Sequence, residues 1–211
     1  TPADWAWIGG LFDALFPAWY HGVPIVGYRA KKFDPHGAMQ LMAEHKVRNV
    51  FLPPTALKLM RQANVKHEGV KLRSIFSGGE SLGSELLDWV RATFGIEAHE
   101  IYGQTECNLV VGNNAKLFPI LPGSMGKATP GFDVRIVDEA GNVLPNGTTG
   151  IIGVRKPNPC MMLQYWANPE ATAKKYAGDF LLTGDLGRRD DDDYFWYMSR
   201  EDDVITSAGY R

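Results

Sequence analysis

Tyr102-Gly103-Gln104-Thr105-Glu106 sets a hydroxyl beside a carboxylate directly after the strand-like run Ile96 to Ile101. A Thr next to a Glu suits a phosphate and its metal. The hydroxyl donates to a phosphoryl oxygen, and the carboxylate is a hard oxygen ligand for Mg²⁺. Position agrees with chemistry, because ligands of open α/β sheets bind in the crevice at the carboxyl ends of strands. Taken alone, the same residues also describe a solvent-facing β-turn. The choice depends on whether the rest of the chain supplies the other parts of a nucleotide site.

Further clusters offer them. Ser77-Gly78-Gly79-Glu80-Ser81-Leu82-Gly83 lies between a strand pattern and a helix pattern. Its glycines allow close backbone approach to a flat ligand edge, with Glu80 and Ser81 beside it. The segment also matches Gly-x-Ser-x-Gly, the nucleophile elbow, and so raises a serine hydrolase acting through Ser81. That chemistry needs an acid and then a His further along the chain. Of the five histidines only His99 follows Ser81, and nothing after it can serve as base. Leu182-Thr183-Gly184-Asp185 ends another strand pattern, and an Asp there can accept hydrogen bonds from ribose hydroxyls. Arg200 can reach a ribose or phosphate, and Arg211 offers a second fork for phosphate oxygens. Surface salt bridging is the competing use of both.

The elements that must position these residues fall into two halves. Asp34-Pro35 opens a helical pattern to about Lys46, and Val47 to Leu52 reads as a short buried strand. A helix from Thr55 to about Ala63, a strand from Leu72 to Phe76 and a helix from Ser84 to Phe94 follow, with Ser84 as N-cap. Strand–helix alternation predicts a parallel sheet with right-handed crossovers. After about Pro122 short β-rich runs take over: Val134-Val137, Ile151-Arg155, Phe180-Thr183 and Tyr194-Met198. One short helix, Pro169 to about Tyr176, interrupts them, and Asp190 to Asp193 reads as a hairpin tip. The expected fold is α/β: a parallel-sheet subdomain over 1–121, then a small antiparallel β-barrel subdomain over 122–211, truncated at both ends. Thr1-Pro2-Ala3-Asp4 and Gly209-Tyr210-Arg211 read as cuts inside a longer protein.

Composition narrows the class. A formal charge of −2 across 211 residues, with no basic stripe, argues against a nucleic-acid footprint. No apolar run reaches the length of a membrane span. Cys107 and Cys160 lack metal-ligand spacing, and free thiols point to a cytoplasmic chain. There is no Walker A loop, no Gly-x-Gly-x-x-Gly after a strand and no zinc cluster, so P-loop, Rossmann and zinc chemistries are not supported.

Taken in order, Ser77-Gly78-Gly79-Glu80, Tyr102-Gly103-Gln104-Thr105-Glu106, Thr183-Gly184-Asp185 and Arg200-Glu201-Asp202-Asp203-Val204-Ile205 through Gly209-Tyr210-Arg211 resemble the adenylate-forming superfamily. Trp5-Ala6-Trp7-Ile8-Gly9-Gly10 and Phe51-Leu52-Pro53-Pro54-Thr55 extend the resemblance over essentially the whole chain. It implies an AMP-forming acyl-CoA synthetase for a medium-chain or aryl acid, with ATP/AMP, Mg²⁺, CoA and a small carboxylic acid as its ligands. Carried over, Gly79, Glu80 and Ser81 contact adenine, and Glu100, Tyr102, Gly103 and Gln104 border the nucleotide. Thr105 binds the α-phosphate and Glu106 holds Mg²⁺. Asp185 and Arg200 bind ribose, Arg211 binds a phosphate and Asp202 is the interdomain hinge. Trp7, Gly9 and Gly103 line the acyl pocket, with Gly103 leaving room where acetate-specific relatives carry Trp. Phe12-Asp13 resembles instead the peptide-synthetase position that binds an amino acid's ammonium group, which would mean adenylation without CoA. Ser199 in place of a Gly, the charged Glu201 and Ala208 in place of a Ser depart from the family pattern. The upstream phosphate loop and the C-terminal domain with its lysine are absent, so this fragment is expected to be inactive alone.

Overall fold

The structure, a computed structural model, describes residues 1–200. The chain divides into two compact units, one over Thr1–Glu100 and one from Ile101 onward. The second unit opens with a hairpin: the chain turns back after Gln104, and Val110 and Val111 on its return strand enter that unit's core.

The first unit opens with α1 (Ile8–Gly10), a π-helical segment Leu11–Leu15 and α2 (Phe16–Tyr20). Next comes α3 (Pro35–Glu44), where the Asp34 side chain accepts from the His36 and Gly37 N–H groups. Pro35 then suits the first turn, whose N–H groups need no helical partner. Then follow β1 (Asn49–Phe51), α4 (Pro54–Gln62), β2 (Ser74–Gly78), α5 (Ser84–Phe94) and the start of β3 (Ala98–Gln104). β1 and β2 pair in parallel, Val50 facing Ile75. α4 buries Ala56, Leu57 and Met60, and α5 buries Leu86, Leu87 and Val90. Full burial of each large side chain contributes about 1.5–3 kcal/mol. One expected cap moves. The residue before α5 is Gly83, at φ 71°, and no side chain caps that helix. The helix ends on Gly95 in the left-handed conformation, which glycine adopts without steric cost.

The second unit begins with the end of β3, which pairs antiparallel with β4 (Asn108–Gly112); β4 pairs with β5 (Lys127–Ala128). Then come β6 (Val134–Val137), β7 (Gly150–Arg155), α6 (Pro169–Lys174), β8 (Tyr176–Ala177), β9 (Phe180–Arg189) and β10 (Phe195–Arg200). β9 runs well past its expected end at Thr183. Gly184 takes φ 75° within the strand, so it bends the backbone without ending the pairing. The strands lie in the order β10-β9-β7-β6, with β8 also on β9. These described strands form an antiparallel sheet, and an isolated bridge from Gly126 to Phe195 ties its β10 edge to the β4–β5 side. Its core packs Val110, Val134, Ile152, Val154, Leu181 and Phe195.

Candidate nucleotide and metal site

Asp185 is the centre of a polar network in the second unit. It is 6% exposed, and the Arg200 guanidinium donates to its Oδ1 at 2.9 Å. The Tyr102 hydroxyl donates to Oδ2 at 2.7 Å, and the Gln104 amide nitrogen lies 3.4 Å from the same oxygen. A carboxylate has about four acceptor sites, and among the described residues these three donors surround this one. Local sequence explains the convergence. Asp185 and Arg200 are directly opposed on β9 and β10, beside a bulge between Tyr197 and Ser199. Thr183, fully buried, donates to the Ile152 carbonyl at 2.8 Å and accepts from the Asp185 N–H at 3.1 Å. Burial, and then the neighbouring Asp185 charge, push the Tyr102 phenol well above its ordinary pKa. Tyr102 therefore stays a donor.

Gly103 lies inside β3, not in a turn after it. The register of β3 on β4 shifts between Tyr102 and Gly103, and a Cβ on Gly103 would sit 1.9 Å from the Asn108 carbonyl oxygen. Close backbone approach therefore requires glycine here, independently of any ligand. Thr105 and Glu106 follow in the turn between β3 and β4, Thr105 exposed and Glu106 half-buried. The Tyr165 hydroxyl donates to Glu106 Oε1 at 2.6 Å. Among the described residues no hydrogen bond or ion pair reaches Oε2. A carboxylate with one fixed and one available oxygen beside an exposed hydroxyl fits a divalent cation that shares its remaining ligands with phosphate and water. Cys107, next in the chain, is buried in the core, and burial pushes its thiol up to about 12. It is a packing residue rather than a nucleophile.

In the first unit, β2 delivers buried Ser77 and Gly78 into the loop Gly79–Gly83. Backbone strain sits on Gly79 (φ 92°) and Gly83 (φ 71°), while Ser81 does not have a positive φ. A nucleophile elbow concentrates strain at the serine turn, so the hydrolase reading loses its geometric support. Glu80 faces Lys58 at 3.6 Å, and the Leu82 N–H donates to Glu100. Glu100 is buried, and that burial lifts its carboxyl to about 7. Trp7 and Gly9 lie at and just after the start of α1, and a Cβ on Gly9 would touch the Phe51 ring at 3.1 Å. Asp13, in the π-helical segment, has a buried Oδ1 with no hydrogen-bond partner, and burial lifts its carboxyl to about 6. Asp202 and Arg211 lie outside the described residues.

Lys175 and Tyr165 were not anticipated. The Lys175 ammonium lies 3.3 Å from Gln104 Oε1 and from the Leu182 and Thr183 carbonyls. It thereby orients the Gln104 amide so that its nitrogen faces Asp185. In sequence it reads as a basic residue at a helix end, which already has a use there. Tyr165 precedes Trp166 in an irregular stretch with no periodicity to mark it.

The AMP-binding enzyme family matches residues 1–166, and the chain belongs to that family. Among its curated relatives, acyl-coenzyme A synthetase ACSM4, mitochondrial, of Homo sapiens is 39% identical over 213 residues, covering 99% of this chain and 37% of that protein. Acyl-coenzyme A synthetase ACSM5, mitochondrial, of Rattus norvegicus is 39% identical over 212 residues, covering 99% of this chain and 36% of its own length. Among solved structures, ATP-bound MatB from Rhodopseudomonas palustris superposes with TM-score 0.83 at 28% identity, over 99% of this chain and 41% of that one. The anthranilate CoA ligase AuaEII in complex with anthranoyl-AMP superposes with TM-score 0.79 at 26% identity, over 93% of this chain and 38% of that one. The chain spans little more than a third of the length of the curated relatives. Among the described residues, no helix is long and apolar enough to cross a membrane.

Proposed function

We propose that the protein containing this chain activates a carboxylic acid with ATP and passes the acyl group to CoA. The observation that carries the reading is strand β3. It sends the Tyr102 hydroxyl to Asp185 at 2.7 Å and continues directly into Thr105 and Glu106. One rigid element thus couples a prepared ribose acceptor to a phosphate and metal pair, which is the positioning that phosphoryl and adenylyl transfer demand.

In this reading Asp185 accepts from a ribose hydroxyl while Arg200 and Tyr102 hold its orientation. Gly79, Glu80 and Ser81 border adenine, Glu100 and Gln104 support the nucleotide and Thr105 donates to an α-phosphoryl oxygen. Glu106 would hold Mg²⁺, which supplies charge neutralisation of the phosphates when bound. A substrate carboxylate oxygen attacks the α-phosphorus, the bond to the leaving pyrophosphate breaks, and an acyl-adenylate forms. The CoA sulfur then attacks the acyl carbon and AMP leaves. The chain contributes no covalent nucleophile, in keeping with the unreactive Cys107. Arg211 as a phosphate ligand and Asp202 as a hinge complete the assignment.

For the acid we propose a medium-chain or aryl carboxylate, with Trp7, Gly9 and Gly103 at the pocket. Two relatives support the reading: one is named an acyl-coenzyme A synthetase, the other a CoA ligase of anthranilate, an aryl acid. The free thiols favour the cytoplasm as compartment, although curated relatives are named mitochondrial. The test is a carboxylic-acid panel in ATP–pyrophosphate exchange on the full-length protein, followed by a CoA thioester assay. Exchange with medium-chain or aryl acids and thioester formation are expected. Exchange without thioester would replace the ligase with a CoA-independent adenylating enzyme.

A further inference from the structure

We propose that Tyr165 is a positioning residue for Glu106, fixing the direction in which that carboxylate meets a divalent cation; this rests on the reading of Glu106 as the metal carboxylate. The hydrogen bond from the Tyr165 hydroxyl to Glu106 Oε1 is 2.6 Å, in the range of charge-assisted O–H···O bonds. The main chain is tied down separately: the Tyr165 backbone N–H donates to the Thr172 hydroxyl at 2.9 Å, which fastens the segment to the first turn of α6. Upstream, the Met162 N–H donates to the Glu106 carbonyl at 2.8 Å. The Tyr176 hydroxyl reaches the Met162 carbonyl at 3.4 Å. The segment 162–165 therefore grips Glu106 by both its main chain and its side chain.

That double attachment has a chemical consequence. A glutamate in a turn has three rotatable side-chain bonds, and an unrestrained carboxylate would present either oxygen in many directions. Tyr165 takes Oε1 and leaves Oε2, so the carboxylate presents one oxygen from a fixed plane. Partners in this outer position around a metal carboxylate typically govern 10- to 100-fold in metal affinity. A purely structural bond would fasten the segment without affecting the cation.

The experiment uses the full-length protein with ATP present and Mn²⁺ as the probe, reading free Mn²⁺ by electron paramagnetic resonance and thermal unfolding in parallel. The variants are Glu106→Gln, Tyr165→Phe and Thr172→Val, the last loosening the segment without touching Glu106. The proposal expects Tyr165→Phe to weaken Mn²⁺ binding about tenfold. It expects Thr172→Val to stay within about twofold of wild type in Mn²⁺ affinity while lowering the melting temperature at least as much. Unchanged affinity in Tyr165→Phe, or equal weakening in Thr172→Val, would overturn it. If Glu106→Gln binds Mn²⁺ as wild type does, the metal reading of Glu106 itself is wrong, a different failure from the first.

Discussion

Asp13 and Glu100 in the first unit and Asp185 in the second are all partly or fully withdrawn from water, yet the two units treat them in opposite ways. Asp13 leaves one oxygen with no partner, and Glu100, 8% exposed, takes a backbone N–H from Leu82. Desolvation dominates both, lifting them to about 6 and about 7. Asp185 instead has a guanidinium, a phenol and an amide around it. The first pair can hold protons near neutral pH; the third is held in place by the donors around it. Burial alone therefore does not mark a site. The partners decide whether a buried carboxylate is a proton store or a geometric template.

Removing a partner from the template should have the largest effect. Arg200→Met leaves Asp185 buried without its ion-pair partner, and breaking a buried pair from one side costs about 3–5 kcal/mol. Urea unfolding should show that loss, and Arg200→Met/Asp185→Asn should recover most of it. A single-variant cost below about 1 kcal/mol would mean the network is not the rigid template described.

Gly103 tests the same template through its backbone. Its missing Cβ space is 1.9 Å from the Asn108 carbonyl, so Gly103→Ala must push the hairpin apart. The expected cost is about 1–3 kcal/mol, read by thermal unfolding. Substrate range separates this from the pocket role: Gly103→Trp should lose long and aryl acids in the exchange assay. If such acids are unaffected in a folded Gly103→Trp protein, Gly103 is a backbone requirement alone.

The proton-storing side of the comparison makes a pH prediction of opposite sign. The Asp13 carboxyl is raised from 3.8 to about 6, so ionising it disfavours the folded state. Stability from this group is greatest below the unfolded value and falls as pH rises through about 6. Asp13→Asn should therefore be more stable than wild type near neutral pH by about 1–2 kcal/mol, after discounting for its partial exposure. The difference should vanish below pH 4. A constant difference across the titration would assign the gain to packing.

Legibility in the sequence follows the same division. The strand and helix order of the first unit was readable because Met39, Met42, Ala56 and Met60 mark buried helix faces and Asp34-Pro35 announces a start. The Thr105-Glu106 and Asp185 positions were readable because turn glycines and paired polar types stand out in a short window. The second strand of the Thr-Glu hairpin, β4, was not, because Asn108–Gly112 is a short run with no alternation to separate it from a loop. Gly184 reads in sequence as the end of a strand, since glycine at positive φ bends or ends strands with equal ease. Tyr165 and Lys175 were invisible for another reason. Their contacts join residues 59 and 71 positions apart, and no local pattern encodes such a meeting.

The smallest effect on stability should be the most informative about function. Lys58 and Glu80 lie 3.6 Å apart with side chains 51% and 22% exposed, a pair whose contribution to folding is at most about 1 kcal/mol. Glu80→Gln should therefore leave the unfolding midpoint almost unchanged. If Gly79-Glu80-Ser81 borders adenine as proposed, the same substitution should still weaken AMP binding, measured by calorimetry on the full-length protein, by severalfold. Lys58→Met provides the contrast, because it removes the same ion pair while leaving the carboxylate that would meet the base. Weakening confined to Glu80→Gln identifies a ligand contact; equal weakening in both assigns the effect to loop geometry. No change in either would remove the first unit's glycine loop from the nucleotide site and leave that role to the template around Asp185.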